Sequence, residues 1–90
     1  MAASDALMPL YGFVEGDTLG VVVLMRADDT VGTLATRLQE ATALRVAPAG
    51  EGRVMVRDQL LDPGSTLRRE GIRALDRVDL VWWRDRGELG

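Results

Sequence analysis

The chain has 90 residues, 47% of them apolar and 28% charged, with a formal net charge of −3, which is enough for one packed core and too short for two. It has no His, Cys or Lys, so all 11 cations are Arg, and imidazole bases, thiol nucleophiles, disulfides and the usual zinc sites are excluded. The acidic balance argues against a nucleic-acid binder, and no apolar run approaches the ~20 residues that span a bilayer.

Residues 1–7 read as an N-terminal arm, and no basic stretch followed by an apolar one marks a signal peptide, so a cytoplasmic protein is expected. Leu7–Val14 carries Tyr11, Phe13 and Val14 and reads as a strand, with Gly12 an interruption. Glu15-Gly16-Asp17 is a turn, and Thr18–Arg26 a second run rich in Val, so the two form a hairpin. Val31, Leu34, Ala35, Leu38 and Ala41 then recur at helical spacing, with Thr30 as the N-cap candidate and Asp28 and Asp29 at the positive end of the dipole. Leu44 is expected as an apolar anchor past the helix end.

Ala47–Gly52 reads as a loop and Arg53–Arg57 as a third strand, followed by a tight turn at Asp58-Gln59 and a short strand at Leu60-Leu61. Asp62-Pro63-Gly64-Ser65 is a strong turn, Thr66–Ile72 a single helical or 3₁₀ turn, and Arg77–Trp83 the last strand. Alternation there turns Trp82 inward with Val78 and Leu80, and Trp83 outward with Val81. Residues 84–90 form a polar C-terminal tail. One helix covers only one face of such a sheet, so the expected fold is two-layer α+β, a mixed four- to five-stranded sheet packed on one helix over residues 8–83.

From Arg53 to Gly87 the order of features resembles ubiquitin-like proteins: a strand, then Leu61-Asp62-Pro63-Gly64-Ser65-Thr66-Leu67, then Gly71-Ile72, then Val78-Asp79-Leu80-Val81. Thr30 and Val31 match the family's helix start. The resemblance implies the β-grasp fold, with the first and last strands side by side, and function by being bound, without catalytic residues or cofactors. The Arg-only, Val/Ala/Gly-rich composition looks bacterial, so bacterial ubiquitin-like modifiers and YukD-type proteins of type VII secretion are the relevant comparison.

In the family the C-terminal glycine carboxylate is activated and transferred. Gly87 falls at the position of ubiquitin's final glycine, Arg86 replaces its penultimate glycine, and Glu88-Leu89-Gly90 lies beyond. The implied conjugation tail is therefore Arg86, Gly87 and Gly90, with either Gly90 reactive or Gly87 exposed by trimming. An activating or conjugating enzyme, a processing peptidase and target proteins would be its partners. The competing reading is a non-conjugated interaction domain such as a type VII secretion accessory protein. A sulfur-transfer carrier fits less well, since it too normally ends in Gly-Gly.

Met55 and Val81 match the positions of ubiquitin's main apolar recognition patch, whose third member lies where this chain has Gly16. Arg53 and Trp83 frame it, together with Arg57, so Arg53, Met55, Val81 and Trp83 are the candidate protein-binding residues. An outward Trp83 also permits self-association. Without lysine, lysine-linked polymers of the chain cannot form. Asp28-Asp29 reads as capping rather than a metal site, and Gly12, Gly16 and Gly20 make no phosphate loop.

Overall fold

A computed structural model of the chain describes residues 6–83. Period-2 alternation decides which side of each strand is buried. On β1 (Met8–Val14), Leu10 and Val14 turn inward, and on β2 (Val21–Met25), Val23 and Met25 do so. Val54 and Val56 do the same on β3 (Glu51–Val56), as do Val78 and Leu80 on β5 (Arg77–Trp83). The helix α1 (Val31–Thr42) presents Val31, Leu34, Ala35 and Leu38 to the same core. Leu10, Leu34, Leu38 and Leu80 have no exposed surface, and each such side chain contributes about 2 kcal/mol of transfer free energy. Gly12 suits this packing, because a Cβ there would meet Leu38 Cδ2 and the leucine would have to shift in the core.

The sheet has five strands in the order β2-β1-β5-β3-β4, where β4 is Gln59–Leu60. β1 runs antiparallel to β2 and parallel to β5, and β5 runs antiparallel to β3. The α+β layering, the central first and last strands and the inward Trp82 match the sequence expectation.

Thr30 caps the helix: its backbone is extended (φ −84, ψ 159) and its Oγ1 accepts from the Thr33 N–H at 3.1 Å. The Val31 and Gly32 N–H groups donate to the carbonyls of Ser65 (2.8 Å) and Pro63 (2.9 Å), so the Pro63-Gly64 turn supplies the acceptors the first helical turn lacks.

Several local expectations are corrected. The second strand starts at Val21 rather than Thr18, because the Asp17 carboxylate turns back to accept the Leu19 N–H at 3.1 Å. The third strand is Glu51–Val56, and the tight turn falls on Arg57-Asp58, both at positive φ (52 and 66), so Gln59 already pairs with Val56 in β4. Two positive φ values are what a two-residue hairpin turn twisted to match its strands demands. Thr66–Ile72 holds the expected single turn and no more: the Glu70 N–H donates to the Thr66 carbonyl and the Gly71 N–H to the Arg68 carbonyl, both at 3.1 Å, and Thr66 is bridged to Thr30. Leu44 is fully exposed and anchors nothing; Thr42 and Val46 turn inward around it.

Candidate functional site

The sheet face away from α1 carries two unlike halves. Across the β1–β2 ladder, Pro9 faces Leu24 and Tyr11 faces Val22, all apolar, with Tyr11, Val22 and Leu24 about half exposed. Across the β5–β3 ladder, Val81 faces Arg53 and Asp79 faces Met55, with Trp83 opposite Glu51 at the far end. Between the halves, Arg77 lies over the Phe13 ring at 4.3 Å and bonds Asp79 at 3.0 Å. Phe13 in turn covers Gly20, where a Cβ would come within 2.7 Å of its ring.

Met55 and Val81 share a shallow depression of about 410 Å³ with Phe13, Gly16, Arg77 and Asp79. The structure thus brings together Met55, Val81 and the Gly16 turn. Arg53 joins them through Val81, and Trp83 extends the row, 48% exposed. Arg57, in the β3–β4 turn, lines an adjoining depression of about 430 Å³ with Met55, Arg77 and Asp79. Arg53 is the only arginine among the described residues that is not exposed, and its side chain forms no hydrogen bond there: its Nε is enclosed and unpaired. A buried donor without an acceptor costs about 1–3 kcal/mol, and the same guanidinium has its Nη groups without a hydrogen bond among the described residues, so an incoming carboxylate or carbonyl would pair with those.

The depression is held in place from the hairpin turn. β1 ends at Val14 while β5 continues, and Glu15 bridges the gap. Its N–H donates to the Leu80 carbonyl (2.8 Å), its Oε1 accepts the Trp82 N–H (2.8 Å), and its carbonyl accepts the Trp82 indole N–H (3.0 Å). Asp17, in the same turn, accepts two hydrogen bonds from Arg45 Nε and one from its Nη2 (2.8 Å), with its side chain 4% exposed. The Arg45 hydrogen bonds, followed by the Leu19 N–H, hold the Asp17 carboxyl below its ordinary value of 3.8.

Sequence reasoning missed Phe13, Arg77 and Asp79. Period-2 placement alone puts them on this face; that they meet Met55 depends on β5 lying between β1 and β3. The tail residues Arg86, Gly87 and Gly90 lie outside the described residues. Among the described residues no group of three or more acidic side chains is placed to hold a metal, and no helix is long and apolar enough to cross a membrane.

Solved structures share this architecture. A chain of the toluene 4-monooxygenase HD complex superposes with a TM-score of 0.80 at 23% identity, over 87% of this chain and 100% of that one. Ubiquitin from Caldiarchaeum subterraneum superposes at 0.69 and 18% identity, covering 89% and 98%. The ubiquitin-like domain of Plasmodium falciparum Dsk2 superposes at 0.71 and 20% identity, covering 84% and 97%. The fold is the ubiquitin-like β-grasp. No family model and no curated protein sequence matches the chain. The ubiquitin-like β-grasp neighbours span nearly their whole length here, so the shared element is the entire small domain.

Proposed function

We propose that this chain is a non-catalytic ubiquitin-like protein that works by being bound, through the β5–β3 half of its outer face, as a component of a larger protein assembly. The observation that carries the reading is Arg53, a partly buried cation without a partner set beside Met55 and Val81. Supporting it, the chain from the toluene 4-monooxygenase HD complex is matched over its full length. The partner on this reading presents apolar side chains around a hydrogen-bond acceptor for Arg53.

A second reading is the conjugated modifier, bacterial and cytoplasmic, attached through Gly87 or Gly90 after activation by a partner enzyme. The likeness to an archaeal ubiquitin and the position of Gly87 in the tail favour it, while Arg86 in place of the penultimate glycine counts against it. The type VII secretion role is a third form of being bound, with no observation of its own.

One experiment separates these readings. The tagged chain is recovered from its native host with and without denaturant. A bound component brings its partner down only natively, loses it on Met55→Asp, and keeps it when residues 84–90 are deleted. A modifier gives higher-mass species that survive denaturant and vanish on that deletion. A Met55→Asp chain that is folded and still retains every native partner refutes the outer-face reading.

A further inference from the structure

The sheet ends in two edges, and they are treated differently. At β2, the Leu24 carbonyl that points away from β1 is taken by Arg37 of α1, whose Nη1 donates to it at 3.3 Å. That contact takes one acceptor of the β2 edge and lays a cation across it, which disfavours a further strand there. At β3, the covering strand β4 reaches only Met55 and Val56, and the Leu61 N–H takes the Val54 carbonyl at 2.9 Å.

Gly52 is left over. Leu80 and Trp82, the register partners of Val54 and Gly52, direct their backbone groups to the β1 side, where the Leu80 carbonyl accepts from Glu15 and the Trp82 N–H donates to Glu15 Oε1. Antiparallel alternation then turns the Gly52 N–H and C=O outward, and no hydrogen bond is formed by either among the described residues. Beside this edge runs a groove of about 220 Å³ between β3 and α1, floored by Val31, Ala35, Val54 and Leu61. Gln39 closes over Gly52, where any Cβ would strike its Nε2, and its carboxamide has no hydrogen-bond partner among the described residues.

We propose that this edge is a second binding site and that its ligand is an extended segment of a partner protein, added as a short strand beside Gly52. The unspent backbone donor and acceptor select a main chain rather than a helix or a small molecule. The groove receives one aliphatic side chain from the added strand, and the Gln39 carboxamide bonds the ligand backbone. Recognition is sequence-tolerant, because the backbone supplies the polar contacts. The site lies on the sheet edge rather than in the Met55–Val81 depression; Arg53 also borders this groove, so the test reads Gly52 and Gln39 rather than Arg53.

The test uses the full chain, ¹⁵N-labelled, with the pentapeptide Ac-Ser-Thr-Val-Thr-Ser-NH₂ and its Leu-centred analogue. The Gly52 amide should exchange rapidly in the free chain and slow by about tenfold or more at saturation, with shifts concentrated at Gly52, Val54 and the Gln39 carboxamide. Two further peptides carry an N-methyl group, one on the central residue and one on the following Thr. Strand addition makes one of them lose about tenfold in affinity and leaves the other unchanged, since only alternate amides face β3. The proposal is overturned if Gly52 is already protected in the free chain, if shifts gather at Val22 and Leu24 instead, if both N-methyl peptides behave alike, or if neither parent peptide saturates at millimolar concentration.

Discussion

The two halves of the outer face expose apolar surface in different ways. The β1–β2 half shows more of it: Val22 is 57% and Leu24 50% exposed, whereas Met55 and Val81 are only partly exposed. Yet the β1–β2 half has no enclosed, unpaired side-chain polar atom, while the β5–β3 half has a depression, a guanidinium with its Nε enclosed and a Trp at its end. Scattered exposed aliphatics are ordinary on a small domain, and what marks a recognition surface is an unmet polar demand beside them. The comparison assigns binding to Met55 and Arg53 rather than to the larger greasy area next door.

The strongest way to break the comparison is to remove what lies under the β5–β3 half. Leu80→Ala opens a cavity below Val81 and should cost about 2–5 kcal/mol, read by urea unfolding with unchanged slope. The next test compares the halves directly. Met55→Asp should weaken partner binding by about 2 kcal/mol, while Leu24→Ser should leave binding within about 0.5 kcal/mol of the parent, both by titration calorimetry. Equal losses would mean the partner covers the whole face.

A smaller effect has the opposite sign for stability. Arg53→Met keeps the aliphatic stem and removes the unpaired donor, so the free chain should gain up to about 1 kcal/mol in chemical denaturation while losing affinity. A loss of stability would show that Arg53 is satisfied in solution.

The smallest concerns the mooring of the hairpin. Because Arg45 lowers the Asp17 carboxyl below 3.8, the folded state binds fewer protons than the unfolded one. Its stabilising effect is therefore complete above that value and is lost as pH falls through the lower folded value. Wild type and Asp17→Asn should differ at about pH 6 and converge in strong acid, measured as denaturation midpoints.

Much of this architecture was legible because it rests on local periodicity. The helix and β5 follow from spacing and β1, within one residue of its start, from its β-favouring residue types, and the opposite facing of Trp82 and Trp83 follows from a period of two. The Thr30 cap was legible for the same reason, since its partner is three residues away. What escaped depends on contacts distant in sequence. Gly12 reads as a flaw in its strand until Leu38 is seen packed on it. Leu44 has the right residue type for an anchor, but the chain after α1 turns it to solvent. The likeness to ubiquitin-like proteins points to Met55 and Val81, the residue types of Arg53 and Trp83 add them as a frame, and the β3–β5 register sets all four on one face. The isolation of Arg53 was invisible, because a missing partner has no sequence pattern.

The adjacent tryptophans have an experimental consequence. Trp82 is tied by its indole N–H to the Glu15 carbonyl, while Trp83 stands half in solvent beside the candidate patch. In a Trp82→Phe background, emission from Trp83 becomes a label-free optical sensor of whatever settles on the face. In a Trp83→Phe background, the remaining fluorophore reports instead on whether the turn still grips the end of the sheet. The chain thus carries two natural probes one residue apart, one for occupancy and one for integrity.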